Sequence, residues 1–132
     1  MTEDELYELT HGIIRAAIAV HEELGPGLLE RVYVDCLKIA LEEEGYQVDM
    51  EIPLPVIFRG RKIAEDGYRL DLLVNDIVIL EIKSVLEINS VHVKQLNTYL
   101  RLANKPCGLL INFNVSRLAH GIKRIRNGEL NM

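Results

Sequence analysis

The fold is decided by two neighbouring stretches, Tyr68-Arg69-Leu70-Asp71-Leu72-Leu73-Val74 and Ile77-Val78-Ile79-Leu80-Glu81-Ile82-Lys83. Both are strand-like and strongly hydrophobic, yet Asp71 lies inside the first, and Glu81 and Lys83 close the second. Charged side chains are costly to bury unless they are paired or bind a metal ion. The two stretches therefore predict adjacent strands that carry a polar site on sheet backbone.

The residue types at this site favour divalent metal and phosphodiester chemistry. A hard cation such as Mg²⁺ takes oxygen ligands and usually accepts one or two carboxylates from the protein. Asp71 and Glu81 would supply these carboxylates, and the carbonyl of Ile82 is the candidate third ligand. Side chains alternate along a strand, so Lys83 points the same way as Glu81. Its ammonium group would orient an attacking water or neutralise charge that builds on a phosphate.

The loop between the two strands sets a condition on this site. A tight two-residue loop, Asn75-Asp76, would put Asp71 and Glu81 on opposite faces of the sheet. A three-residue loop would put them on one face, with Asp71 opposite Ile79. We therefore predict the longer loop or a bulge, with Asn75 or Asp76 in a left-handed conformation.

Composition and charge limit the classes of protein. The 132 residues, 48% hydrophobic and 27% charged, suit one domain over 1–132, with an N-terminal helix at 1–25 and a core at 28–127. The net charge of −5 is uneven, since residues 1–51 carry 13 acids and 3 bases and residues 52–132 carry 7 acids and 12 bases. An acidic total argues against indiscriminate coating of DNA. A local basic face around the site remains open, and so does a simpler origin in two solvated acidic helices.

The sequence also favours a cytoplasmic location without membrane contact. The acidic N-terminus lacks the basic-then-apolar order of a signal peptide. No apolar run approaches the roughly 18 residues that span a bilayer. Cys36 and Cys107 have no metal-type spacing and are too few for a disulfide framework, so a reducing compartment fits best.

Periodicity and turn signals predict the order helix, helix, strands, helix, strand, tail. The first helix begins at a capping box formed by Thr2 and Glu5, the second covers about 28–44, and the third begins at a Ser90 cap. Pro53 and Pro55 place the first strand at an edge or a bend. This order predicts an α/β domain with a mixed central sheet flanked by helices.

Some assignments stay open at this point. The tail from Ser116 to Asn127 fits either a helix or a strand. Glu30 borders the apolar face of the second helix, which we assign to Leu29, Val32, Tyr33, Cys36, Leu37, Ala40 and Leu41. It is either a third acid of the site or an ordinary ion-paired residue. His21 would be a ligand, a proton carrier or, more commonly for a helix-end histidine, a structural residue.

The third helix carries Gln95 and Tyr99 on the face that also holds Val91 and Leu102. An inward glutamine needs partners for its amide. Gln95 would therefore bind a backbone group, a phosphate, a water or Tyr99 itself.

These residues carry a family resemblance. Asp71 with Glu81-x-Lys83 resembles the signature of the PD-(D/E)XK nuclease superfamily. Gly27-Leu28-Leu29-Glu30-Arg31-Val32-Tyr33 resembles the GxxExxY motif, which names one small family within it. The resemblance extends from about His11 to Arg126. Leu70 stands where the superfamily often has proline before the motif aspartate, at a position that varies widely.

The resemblance implies a restriction-endonuclease-like core in the order αβββαβ. It implies that Asp71 and Glu81 bind a divalent metal, usually Mg²⁺ with Mn²⁺ as a substitute. It further implies that Lys83 assists the nucleophilic water and that Glu30 is the acid on the first core helix. Such a protein would be a metal-dependent nuclease that hydrolyses phosphodiester bonds, in the first place in DNA.

Gln95 and Tyr99 resemble the QxxxY helix motif of RecB-like nucleases and would contact the substrate. Two other functions remain possible: a catalytically silent nucleic-acid-binding module of the same fold, and an interaction protein whose acidic helices dock a partner. A chain this short has little surface with which to grip a duplex, so a homodimer would suit either nucleic-acid function.

Overall fold

The computed structural model describes residues 1–127, and of residues 64–67 it describes the backbone alone. The last five residues of the predicted domain, 128–132, lie outside the described part. In chain order the elements are α1 (Glu3–Leu24), α2 (Glu30–Glu43), β1 (Val48–Phe58), β2 (Arg61–Val74), β3 (Val78–Lys83), α3 (Ser90–Ala103), β4 (Cys107–Asn112), a 3₁₀ turn (Leu118–Gly121) and β5 (Ile122–Arg126).

The five strands form one mixed sheet in the order β1-β2-β3-β4-β5. Strands β3 and β4 are parallel, joined by the crossover helix α3, and the other neighbours are antiparallel. From α2 to β4 the elements follow the predicted order αβββαβ, which is confirmed. Strand β1 lies at an edge, as Pro53 and Pro55 predicted, because a central strand would need their missing N–H groups.

Helices cover both faces of the sheet and create two apolar cores. On one face α1 and α2 bury their side chains against β2, β3 and β4, with Ile13, Tyr33, Leu37, Leu72 and Leu80 at the centre. On the other face α3 packs on a smaller core that contains Leu73, Ile79, Leu96, Leu100 and Leu110. Within the described residues, no helix is both long and apolar enough to cross a membrane.

The side chains of β1 point to different faces of the sheet before and after Glu51. This residue has a φ of +54°. Val48 and Met50 pack with the α1/α2 core, whereas Ile52 and Leu54 pack with the α3 core. A left-handed residue interrupts the two-residue alternation of a strand. The end of the β1/β2 hairpin therefore lies on the same side of the sheet as α3.

Two sequence predictions about the helices are wrong. Asn89, not Ser90, caps α3, since its Oδ1 accepts hydrogen bonds from the amides of the first turn. Leu29 and Val32 are exposed because α2 begins at Glu30 and buries the neighbouring stripe, Tyr33, Val34, Leu37 and Leu41. On α3, Val91 and Leu102 share a face with Gln95 and Tyr99, as predicted, and that face lines a groove. Val91 and Leu102 are themselves exposed, because the helix buries Leu96, Asn97, Tyr99 and Leu100.

The tail, for which both a helix and a strand were predicted, contains a short helical turn and a strand. A single 3₁₀ turn precedes β5, which pairs antiparallel with β4. The turn approaches the end of β4 closely at Gly121, where an added Cβ would overlap the carbonyl oxygen of Asn112 and press on Val115. A glycine is required here for packing, and it fixes the backbone next to Lys83, the residue that pairs with Asn112.

Replacing this glycine tests the packing. We expect Gly121→Ala to lower the free energy of unfolding by about 1–3 kcal/mol, because the overlap with Asn112 forces the backbone to shift. Denaturant unfolding measures the change. His120→Ala is the matched control, since its side chain is exposed in the same turn. Equal stability of both variants would contradict this packing constraint.

Candidate active site

The β2–β3 loop has three residues, Asn75 to Ile77, because Val74 pairs with Val78. Asn75 and Asp76 both adopt left-handed conformations, with φ values of +53° and +58°. The prediction of the longer loop, with Asp71 and Glu81 on one face, is therefore confirmed.

The predicted cross-strand partner of Asp71 was wrong, because the observed register is shifted by two residues on β3. Counting along the observed register puts Asp71 opposite Glu81, whereas we predicted Ile79. The reason lies in Asn75, which exchanges two hydrogen bonds with the backbone of Gln47, at 2.8 and 2.9 Å. These bonds anchor Asn75 in the loop, so Val74 stays in the ladder and the turn begins one residue later.

The regular β2–β3 ladder ends at the pair Leu72 and Leu80. Beyond this pair, hydrogen bonds from backbone amides to the two carboxylates connect the strands. The amide of Asp71 donates to Glu81 Oε1 at 3.3 Å. The amide of Ile82 donates to Asp71 Oδ2 at 2.8 Å. Each acid therefore satisfies a backbone donor of the opposite strand, and the two strands separate with both carboxylates between them.

Burial and mutual repulsion dominate the electrostatics of the pair. Glu81 is 5% exposed, and this burial, together with the charge of Asp71, raises its pKa to about 8. Burial also raises the pKa of Asp71, while its bond from the Ile82 amide and the charge of Lys83 act in the opposite direction. The two carboxyl groups share a hydrogen bond, so near neutral pH the metal-free pair retains one proton.

The other acid and the base of the predicted site lie around this pair. Lys83 is half-buried, and its positive charge acts on both carboxylates. Glu30 is exposed at the first position of α2, where its charge contributes to the raised pKa of Asp71 after the larger effect of burial. Among the side chains that the structure describes, no three His, Cys, Asp or Glu residues are arranged to hold a metal ion. Glu30 therefore adjoins the pair without completing a three-acid cluster.

The GxxExxY stretch fixes the loop that precedes Glu30. The hydroxyl of Tyr33 donates to the carbonyl of Gly25 at 2.6 Å and accepts from the amide of Leu28 at 3.1 Å. Its ring stacks on Phe113, with centroids 4.4 Å apart. Leu28 also accepts a hydrogen bond from the Ser84 hydroxyl at 2.7 Å, which ties this loop to the residue after Lys83.

Asn112 is a positioning residue that the sequence analysis missed. It is buried at the end of β4, and its amide group exchanges hydrogen bonds with the backbone of Val85 at 3.0 and 3.1 Å. These bonds set the course of the chain as it leaves Lys83. A polar residue at the end of the apolar β4 run was the available signal. His21 is structural, since its Nε2 lies 2.8 Å from the carbonyl oxygen of Val115.

Gln95 and Tyr99 close the α3 side of the site. Tyr99 is buried, and burial followed by the charge of Glu81 raises the pKa of its hydroxyl to about 12. The side chain of Gln95 forms a hydrogen bond with that hydroxyl. Tyr99 therefore lies within reach of the charge of Glu81, and Gln95 has Tyr99 as one of its partners.

Similarity to known proteins decides the family. A family model described as the PD-(D/E)XK nuclease superfamily matches residues 7–125. The chain belongs to the PD-(D/E)XK nuclease superfamily. Its fold is of the restriction-endonuclease-like type. No curated protein and no solved structure matches the chain.

Membership in the superfamily supports a nuclease-type function, with a nucleic acid as substrate. Nucleases of this superfamily generally use divalent metals, and the donors here fit that use. The two carboxyl groups are joined by a hydrogen bond, and their oxygens are the hard ligands that divalent cations prefer.

The pKa of Glu81 predicts the pH dependence of stability without metal. The folded state keeps the Glu81 proton up to about pH 8, whereas the unfolded chain releases it near the ordinary pKa of 4.5. Folding stability therefore falls as pH rises through this interval. We expect Glu81→Gln to reduce that fall, by on the order of a few kcal/mol at high pH.

Denaturant unfolding with a chelator at pH 5, 7 and 9 measures this effect. Glu87→Gln is the control, because Glu87 is an exposed glutamate in the connection after β3. A fall in stability that is as steep in Glu81→Gln as in Glu87→Gln would contradict the buried-proton explanation.

Proposed function

We propose that this protein is a divalent-metal-dependent nuclease that hydrolyses phosphodiester bonds in DNA, with Mg²⁺ as cofactor and Mn²⁺ as a substitute. The observation that carries the proposal is the carboxylate pair at the end of the β2–β3 ladder. A buried pair of this kind is costly to keep at a purely structural position. Its cost is accounted for if the pair binds a cation.

Backbone geometry supports the carbonyl of Ile82 as a third ligand. The carbonyl of Lys83 accepts from the Phe113 amide at 2.9 Å, so the backbone groups of Lys83 face β4. Ile82 therefore directs its N–H and C=O toward β2, and its N–H reaches Asp71. Its carbonyl projects to the side where β2 has already separated from β3.

The remaining residues would divide the work as follows. A bound divalent cation lowers the pKa of water and polarises the phosphate. Lys83 orients the attacking water and offsets charge on the phosphate, because its ammonium group acts on both acids. Glu30 adjusts the charge of the site from the first turn of α2. Gln95 and Tyr99 shape the substrate side.

The proposal includes a domain over 1–132 and a cytoplasmic location. A homodimer is also part of it, since two copies would provide a larger surface for nucleic acid. The GxxExxY family assignment stays a prediction that rests on residues 27–33.

Cleavage by designed variants tests the proposal. We expect Asp71→Asn and Lys83→Ala each to reduce Mg²⁺- or Mn²⁺-dependent cleavage of an end-labelled DNA by at least about 100-fold. Asp35→Asn and Lys38→Ala are matched controls, because both residues lie on the outer side of α2 in exposed or partly exposed ion pairs. Equal cleavage by wild type and all variants would assign the activity to a contaminant.

Calorimetric titration tests the metal site separately from turnover. We expect one Mg²⁺ or Mn²⁺ per chain, with release of about one proton near pH 7, because the cation replaces the proton of the pair. The apparent affinity should rise with pH and level off above about pH 8. Buffers of different protonation enthalpy measure the proton release. Asp71→Asn should abolish metal binding, and the control Asp35→Asn should retain it. Salt-sensitive DNA binding by the wild type without any metal uptake would favour the catalytically silent nucleic-acid-binding module.

A further inference from the structure

A largely apolar groove lies beside the candidate site, between α3 and the end of the β1/β2 hairpin. It is lined chiefly by Val56, Tyr68, Val91, Gln95, Tyr99 and Leu102. Tyr68, Val91 and Leu102 are large side chains with 42%, 67% and 42% of their surface exposed. The face change of β1 at Glu51 places the hairpin on this side of the sheet, so the groove is a product of the fold.

Tyr99 connects the groove with the carboxylate pair. Gln95 and Tyr99 line it, and Tyr99 is close enough to Glu81 for that charge to raise the pKa of its hydroxyl, after the larger effect of burial. The ring of Tyr68 meets that of Tyr99 edge to face, with centroids 5.9 Å apart. Tyr68 precedes Asp71 by three residues on β2, a distance of about 10 Å along an extended strand.

The chemistry of the groove fits one part of a nucleic acid. A duplex keeps its base faces stacked inside, whereas an unpaired base offers a flat apolar face to an aromatic side chain. Tyr68 presents such a side chain, and Val91 and Leu102 add exposed apolar surface in the same groove. Lys94 lies exposed on the rim, where its positive charge complements the phosphate backbone.

We propose that this groove binds the base of an unpaired nucleotide next to the scissile phosphate, with Tyr68 as the stacking surface. The inference rests on the proposed nuclease function and refines it. The substrate is single-stranded nucleic acid, or an unpaired end or flap of a duplex. A paired, fully stacked duplex leaves the groove empty.

A fluorescence experiment tests stacking directly. The chain has no tryptophan, so Tyr68→Trp introduces a single reporter. With a chelator present to prevent cleavage, we expect a thymidine oligonucleotide to quench its emission and a blunt duplex to leave it unchanged. Tyr7→Trp is the control, since Tyr7 is an exposed tyrosine of α1. Equal quenching at both positions, or by the duplex as much as by the single strand, would overturn the inference.

Affinity measurements keep the test independent of the reporter. We expect Tyr68→Ala to weaken binding of the single strand by at least about 5-fold and Tyr68→Phe to retain it, because stacking needs the ring and not the hydroxyl. Binding of a blunt duplex should be the same in both variants. If Tyr68→Ala instead converts a dimer to a monomer in sedimentation, the groove is an interface between copies and the inference is wrong.

The outcomes separate this inference from the nuclease proposal. If the wild type neither takes up metal nor shows metal-dependent cleavage, the nuclease function is contradicted, whether or not the fluorescence of Tyr68→Trp is quenched. Metal-dependent cleavage that prefers blunt duplex and ignores Tyr68→Ala contradicts the groove assignment alone.

Discussion

The structure depends on keeping two acids together in a place from which water is largely excluded. Asp71 and Glu81 repel one another, and burial penalises the charge of each. Two backbone amides and the ammonium of Lys83 offset part of this penalty. The rest is removed by holding a proton or, in the proposed function, a cation. The strands must separate at this point, since an intact ladder would consume the amides that the carboxylates use.

Much of this arrangement could be predicted from the sequence, because strand alternation fixes faces and charges in apolar runs are rare. Asp71, Glu81 and Lys83 were found in this way. The partner of Asp71 was not, since the bounds of the loop depend on Asn75 binding Gln47, 28 positions away. Long-range backbone bonds of this kind leave no periodic signal in the sequence.

Helical faces were harder to predict for a similar reason. In α2 and α3 two neighbouring stripes both carry apolar residues, and contact with the sheet decides between them. The stripe that is left outside includes Val91 and Leu102, which form part of the groove. Asn112 was missed because an asparagine after an apolar run is also typical of a turn. These errors concern residues near the candidate site, where a side chain can be selected for packing or for function.

The prolines of the outer strand affect how copies of the protein could associate. Pro53 and Pro55 remove two amide donors from β1, so this border of the sheet is a poor template for strands of another molecule. Protection of this kind limits aggregation during folding, when an unpaired border is most vulnerable. Two copies that assemble would therefore meet through helices or through the short opposite border at β5.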